Sequence, residues 1–515
     1  MNIRISEESI NSKVKTIYLY IIIIFSIPTI ILLYKSIEWH PILDSPIFQY
    51  IAYKILNGVT PYKEIFDMNL PGTYWIHIIT IKIFGLNSIG FRITDLIFLF
   101  IILLSGGLIL KEYGSVAVFT FIAVFSGIHL AGGEANMGER DYFMTGFVGL
   151  SLYFIIQYIK KSKNINLFIA GIFIGYAGFI KPTSYILYFL IVLILLIKKN
   201  GNNKIIMDSI LLTIGVCIFP GIFTYWLYKN GGINDFVNIC VNYLPIYQNG
   251  SISSTFKLIY SIWKSPLDIL IAGSLIILPI VYDNLFKQDK KRETTYLLLF
   301  VGVLFFLFNF VIKGQAENKY RLYPGYYFFA IYAGIIISTT LKEENLKTKL
   351  SGTIYLMISM SIICMYTILT IYKKNSEINY NSYITKEKET EKEIIKILRK
   401  DGIRKDEKIQ IFDVVGGANI LLKLGVNPAT KYLQEVHFTE MQWKGNFPLY
   451  LQKQWDNFIF TLYSEKPEYI VMLKSSYFYR EKVSNIGVEY EVRNLLNRFY
   501  HIINENNQFI IYKLK

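Results

Sequence analysis

Two stretches of this chain gather residue types that could do chemistry. Asp44, Glu64 and Asp67 share one polar segment between apolar runs, and Glu139-Arg140-Asp141 heads another. A carboxylate near neutral solvent can take a proton from a hydroxyl or an amine. Several carboxylates together can bind a divalent metal. Basic residues recur at the ends of apolar segments: Arg92, Arg140, Lys181, Lys313, Lys319 and Arg321. Guanidinium and ammonium groups pair well with phosphate oxygens. Plainer uses stand beside these. Asp44 and Asp141 each precede a helix start, where a carboxylate complements the dipole. Glu64 and Asp67 suit ordinary loop charge, and span-end Lys or Arg snorkels to lipid headgroups.

The elements that must position these residues are apolar. Of 515 residues, 53% are hydrophobic, and mean hydropathy is +0.37. Runs near 20 apolar residues match the hydrocarbon thickness of a bilayer. About eleven such spans are expected, over 17–35, 91–110, 115–131, 142–159, 165–180, 183–198, 205–229, 266–284, 294–312, 322–340 and 350–372. The first is too long for a signal peptide and no small-residue cleavage site follows it, so it reads as a retained span. The net charge of +15 sits in short loops, as in membrane proteins generally, and no compact basic domain speaks for nucleic acid. The three cysteines form neither a metal spacing nor a disulfide framework.

Charge fixes the orientation. Four loops are basic: Lys160 to Lys163, Lys198 to Lys204, Lys287 to Arg292, and Lys342 to Lys349. Each is two spans from the next, so all share one side with Arg4, Lys13 and Lys15 at the N-terminus. That holds only if the short run Thr73–Phe84, between Pro71 and Gly85, is interfacial or re-entrant rather than a span. The N-terminus is then cytoplasmic, and loops 36–90, 132–141, 230–265 and 313–321 face outward with the tail 373–515. The basic residues at outer span ends then run against the usual bias. An anionic ligand at the outer interface explains them, and lipid-linked phosphate is the natural candidate.

The outer loop 36–90 reads as structured. Ser45 suits an N-cap with Pro46 at N1. Phe48, Ile51, Ala52, Ile55 and Leu56 follow helical spacing, and Gly58 suits the C-terminal end. The pattern predicts a short amphipathic helix on the membrane surface. The tail alternates a charged helical stretch (386–400), a strand-like run (409–415), a Gly416-Gly417 turn with a helix after it, and further strand-like runs at 469–474 and 509–515. That alternation predicts a small α/β domain. The expected organisation is therefore a polytopic α-helical membrane module, 1–372, and an extracytoplasmic α/β domain, 373–515.

Several segments, taken in order, resemble the C-type membrane glycosyltransferases (GT-C), in particular the protein O-mannosyltransferases of family 39 and the lipid A aminoarabinose transferases. They are Asp44-Ser-Pro-Ile-Phe-Gln-Tyr, Gly58 to Asp67, Asn69-Leu-Pro71-Gly-Thr-Tyr74-Trp, Arg92, Arg140-Asp141-Tyr142-Phe143, Gly175 to Lys181-Pro182, Lys319-Tyr-Arg321-Leu-Tyr-Pro324, Asn427 to Tyr432 and Lys466 to Val471. Many relatives carry two adjacent acidic residues in the first loop, whereas Ser45 follows Asp44 here. A contribution from Glu64 or Asp67 stays open.

The resemblance implies a cell-membrane enzyme that moves a sugar from a polyprenyl-phosphate donor to a glycan, lipid or protein acceptor at the outer face, with inversion. Asp44 would be the general base, and Asp141, with Glu64 or Asp67, would support it. Arg92, Arg140, Lys181, Lys319 and Arg321 would bind the donor phosphate. No metal is obligatory on this reading, though a divalent ion stays open. The rival readings are a lipid-linked sugar transporter, a glycan ligase or polymerase using a lipid diphosphate, and a non-catalytic scaffold.

Overall fold

The computed structural model describes residues 2–197, 202–246, 298–305, 319–342, 346–375, 380–413, 417–438, 448–476, 479 and 488–515. It is a multi-pass helical membrane protein with a small C-terminal sheet. Among the described residues six helices are long and apolar enough to cross a bilayer: they cover Val14–Glu38, Ser88–Tyr113, Arg140–Lys161, Lys204–Lys229, Tyr320–Thr340 and Gly352–Tyr372. Three shorter apolar helices cover Ser115–Ala131, Asn164–Ile180 and Pro182–Leu196. Together these stand where nine of the expected spans were placed. The expected span 266–284 lies outside the described residues. Of 294–312, only 298–305 is described, and it is helical.

In chain order the first elements are α1 (Asn2–Lys35), α2 (Ser45–Leu56), α3 (Gly72–Phe84), α4 (Ser88–Leu110), α5 (Ser115–Ala131), α6 (Arg140–Lys161), α7 (Asn164–Ile180), α8 (Tyr185–Ile197) and α9 (Asn202–Lys229). The helices Tyr323–Lys342 and Leu346–Asn375 complete the described bundle. At 13 residues α3 is a short helix. Gly85, at φ +78°, reverses the chain into α4, and Thr80 of α3 meets Thr94 of α4 at 2.9 Å.

Two expectations for the first outer loop change. The helix starts at Ser45, and Asp44 holds the cap position: its carbonyl accepts the amides of Ile47 and Phe48 at 3.1 and 3.3 Å. Nor does α2 lie on the membrane surface with one face in water. Every residue from Ser45 to Ala52 is buried, because α3 covers one side and the helix Ala418–Leu424 of the tail covers another. Periodicity along one helix shows which face is most apolar, not how many faces are covered.

The tail forms one five-stranded sheet in the order β2-β1-β3-β5-β4, with the two-residue strand β2 (Asn427–Pro428) at one edge. Strands β1 (Lys408–Phe412) and β3 (Tyr469–Leu473) pair in parallel, with Ile409 opposite Tyr469. β3 is a continuous apolar run, as a central strand covered on two faces should be, and β1 is buried from Ile409 to Phe412 with the polar Gln410 among its apolar residues. The hairpin β4 (Tyr500–Glu505) and β5 (Phe509–Leu514) adds antiparallel edges, and β4 was not foreseen. The helix Tyr380–Lys400 covers the sheet with Ile394, Ile395 and Leu398. The sheet and the first outer loop share a core: the Phe66 amide donates to the Lys431 carbonyl at 2.8 Å, and Tyr243 and His437 hydrogen-bond at 2.7 Å.

Close backbone contact joins α7 to α9. A Cβ on Gly171 or Gly175 would come within 2.3 or 2.4 Å of the Leu212 or Val216 carbonyl oxygen, and one on Gly215 within 2.5 Å of Phe168. Small residues four apart permit this approach, which dispersion then rewards. The contact holds α7, whose last turn leads into Lys181. Gly175→Val should destabilise the protein by about 2 kcal/mol, measured as a lower midpoint of thermal unfolding in detergent. An unchanged midpoint would mean the two helices are free to separate.

Candidate functional site at the helix ends

Two acidic residues occupy helix cap positions without capping. Asp44 precedes α2 and Glu139 precedes α6, and neither side chain makes the cap hydrogen bond. Such a bond at an Asp cap stabilises a helix by roughly 1 kcal/mol, so the carboxylates are turned to something else. Each lies in the other's electrostatic field, together with Arg140 and the Tyr320-Arg321 pair. Asp44 is half-buried, whereas Glu139 is 1% exposed. Burial and the negative charge of Asp44 push the Glu139 carboxyl well above the usual carboxylate range. Its Oε2 atom has no hydrogen-bond partner among the described residues.

The facing cations are equally underused. Arg140 Nε and Arg321 Nη1 are buried without partners among the described residues. The guanidinium of Arg140 rests 5.5 Å from the Phe48 ring and that of Arg321 5.9 Å from the Tyr320 ring. Buried polar atoms are nearly always bonded in folded proteins. Orphaned donors on two converging guanidiniums therefore mark a place for an acceptor-rich ligand. No group of three or more His, Cys, Asp or Glu side chains suited to a metal occurs among the described residues.

Lys181 and Asp141 form the neighbouring pair. The Lys181 ammonium donates to both Asp141 oxygens, at 2.5 and 2.6 Å, with both side chains buried. Burial pulls the ammonium down to about 8 while the Asp141 charge holds it up. Packing fixes where Lys181 stands. Gly72, at the start of α3, lies so close to the end of α7 that a Cβ there would sit 2.7 Å from the Phe179 and Ile180 backbone. The Tyr176 hydroxyl donates to the Gly72 carbonyl at 3.1 Å.

The other residues singled out in the sequence have different surroundings. Arg92 is buried against Asp95, Ser36 and the Trp39 ring, in a separate network. Asp95 also accepts the Gly138 amide at 2.8 Å, while His129 bridges Asp95 at 3.2 Å and the Tyr323 hydroxyl at 3.1 Å. This network pins the loop just ahead of Glu139. Glu64 is exposed and accepts the Thr60 amide at 2.7 Å. Asp67 is buried, accepts from the Asn69 side chain at 2.8 Å and from the Tyr74 hydroxyl, and feels the charge of Arg140. Burial raises its carboxyl and the Tyr74 hydroxyl holds it back. Lys319 opens the 3-10 turn Lys319–Leu322 that carries Arg321, and Lys313 lies outside the described residues.

Sequence reading named Glu139 beside Arg140 and Asp141 without giving it a role, and it did not single out Tyr320, Asp95 or His129. Ionisable groups inside apolar spans are costly enough to signal function or pairing, and that signal was available for Asp95 and His129. Nothing in the linear order distinguishes Glu139 from its charged neighbours.

Residues 69–228 match the family model of the dolichyl-phosphate-mannose-protein mannosyltransferases. No curated protein matches the chain. The solved structure of ArnT from Cupriavidus metallidurans bound to undecaprenyl phosphate is similar over 95% of this chain and 97% of that one, with TM-score 0.60 and 10% identity. AglB from Archaeoglobus fulgidus, an archaeal oligosaccharyltransferase solved with an inhibitory peptide and a dolichol-phosphate, is similar over 97% of this chain and 74% of that one, with TM-score 0.52 and 11% identity. The fold is thus that of ArnT and AglB, and the family match agrees with the resemblance to the C-type glycosyltransferases.

The buried carboxyl of Glu139 makes stability depend on pH. Above its ordinary value of 4.5, the native state keeps a proton that the unfolded chain releases, so stability falls as pH rises towards the folded value. Glu139→Gln removes that dependence. Its unfolding midpoint should match the parent near pH 4.5 and exceed it increasingly towards neutrality, by up to about 1.4 kcal/mol per pH unit. A constant difference across pH would mean that Glu139 is ionised in the native protein.

Proposed function

We propose that the chain transfers a sugar from a polyprenyl-phosphate donor to an acceptor at the outer face of the membrane. The observation that carries this is the pair of orphaned guanidinium nitrogens, on Arg140 and Arg321, facing two uncapped carboxylates. The lipid phosphates held by ArnT and AglB in their solved structures support a donor of this class. On this reading the N-terminus is cytoplasmic, residues 1–372 form the catalytic module, and 373–515 lie outside.

The donor phosphate sits between Arg140 and Arg321, which neutralise it as the leaving group. Asp44 takes the proton from the acceptor hydroxyl or amine. That oxygen or nitrogen attacks the anomeric carbon from the face opposite the phosphate, the carbon–oxygen bond to phosphate breaks, and the configuration inverts. Glu139, held protonated, supplies a hydrogen-bond donor without adding a third negative charge. The Asp141–Lys181 pair supports the site electrostatically, and Arg92 acts at one remove by holding the loop ahead of Glu139. Glu64 and Asp67 order the first outer loop. Cationic side chains suffice for the leaving group, so the reaction needs no obligatory metal.

Asp44→Asn should lower transfer at least about a hundredfold while the protein remains in the membrane. Full activity in that variant would remove Asp44 from the reaction. Arg321→Ala should raise the donor KM by about tenfold or more, as loss of a charged hydrogen bond does. An unchanged donor KM would assign Arg321 to lipid headgroups. Assaying polyprenyl monophosphate and diphosphate sugars side by side separates this reading from a glycan ligase.

A further inference from the structure

Leu43 and Pro46, which bracket Asp44 in the chain, both line a solvent-open cleft between the first outer loop and the tail. The chain reaches Asp44 through a left-handed residue, Leu43 at φ +58°. Such a conformation is uncommon for a residue with a branched side chain and clusters at sites where the surroundings impose it. Here it lets the segment ahead of Asp44 wall the cleft while Asp44 itself lies in the field of Arg140 and Glu139. A group entering the cleft therefore arrives beside the proposed base.

The two walls differ in character. Pro41, Ile42, Leu43 and Pro46 make the loop side mostly apolar, and the tail side sets Thr390, Glu391, Asp413, Asn419 and Lys423 among Ile394, Ile420 and Leu473. The charged groups of the tail side have partners, and the Asp413 carboxylate accepts the Gly417 amide at 3.3 Å. Lys423 pairs with Glu391 at 3.1 Å, Asn419 donates to Glu391 at 3.0 Å, and Lys388 pairs with Glu134 at 3.1 Å. An ionic ligand would have to break these pairs. A neutral, hydroxyl-rich group can add hydrogen bonds to them and lay a carbon–hydrogen face on the prolines and Ile42.

We propose that this cleft receives the acceptor, and that the acceptor group is a neutral sugar unit. The inference rests on the glycosyl-transfer reading. One hydroxyl of that sugar gives its proton to the Asp44 carboxylate and its oxygen bonds to the anomeric carbon. The electron pair of the broken bond leaves on the donor phosphate.

The test blocks the cleft without touching the donor side. His40 lines the cleft and is exposed. Full-length protein with Cys217, Cys240 and Cys364 changed to Ser and His40→Cys added is labelled with fluorescein maleimide. The same label at Tyr490→Cys, exposed elsewhere on the tail, is the control. Using a polyprenyl-phosphate mannose or glucose donor, two rates are read: release of polyprenyl phosphate with water as acceptor, and transfer to methyl α-mannoside or methyl β-glucoside. The label at position 40 should cut transfer to the glycoside at least tenfold and leave release to water within twofold. In the chain with its native cysteines, Asn419→Ala should raise the glycoside KM at least fivefold with donor KM unchanged. Unaltered glycoside transfer in both variants overturns the proposal, as does a parent that transfers only to a serine-containing peptide. A parent that does not release polyprenyl phosphate at all overturns the glycosyltransferase reading itself.

Discussion

A charge removed from water at the edge of a bilayer must find a counter-charge, give up its ionisation, or await a ligand. That constraint sorts the polar residues of this protein. Arg92, Asp95 and His129 pair with one another and with the Gly138 amide, and only Arg92 Nε of that guanidinium is left over among the described residues. Lys181 and Asp141 satisfy one another through two short bonds. What remains at the helix ends around Glu139 is a set that does not close on itself among the described residues: the carboxyl groups of Asp44 and Glu139 and the buried donors of Arg140 and Arg321. The closed sets act as scaffold. The open one is where chemistry can be placed, because its members gain most from a ligand that brings both acceptor oxygens and negative charge.

The closed sets also explain how the open one is aimed. Residues 138–141 run in sequence from a glycine bound by α4, through Glu139 and Arg140, to an aspartate bound by the end of α7. The loop is thus held at both ends, by Gly138 to Asp95 and by Asp141 to Lys181. The end of α7 is in turn set by its backbone contact with α9 and by Gly72 of α3. Precision at the helix ends therefore begins in close packing within the membrane, well away from the charged groups.

Much of this was legible in order, less in depth. Apolar run length located the membrane helices, since bilayer thickness is imposed from outside and leaves its measure in the sequence. The strand-like runs 409–415 and 469–474 announced β1 and β3, though not their central place in the sheet. Hairpin strand β4, Tyr-His-Ile-Ile-Asn-Glu, did not, because an edge strand mixes polar and apolar residues without a period of its own. The segments around Asp44, Arg140, Lys181 and Arg321 were recognised one by one, yet which cations were spent on partners could not be read from them. Arg92 and Arg140 look alike in sequence, and each keeps a buried Nε without a partner among the described residues, but Arg92 has Asp95 three residues along its own helix to pair with. Tertiary contact made the difference for α2, which looked like a surface helix because its cover by α3 and by the helix Ala418–Leu424 cannot be read from its own periodicity.

The position of the buried ionisable groups also bears on the rival reading as a transporter. Transporters place binding groups near the bilayer midplane, at helices whose backbone is broken there. Here Arg92 and Asp95 lie within the first two turns of α4, beside His129 in the last turn of α5. Asp208 lies in the second turn of α9, bonded to the Tyr158 hydroxyl near the last turn of α6. These groups thus occupy helix ends, and each has a partner at the same level. Between them the described core is built of residues such as Ile102, Phe121, Val148 and Ile174, all buried. A solute crossing that layer would meet packed hydrocarbon, whereas the proposed lipid-borne sugar phosphate would meet Arg140, Arg321 and Asp44 at helix ends, without crossing it. Placement of charge along the membrane normal, more than its amount, therefore favours an interfacial enzyme.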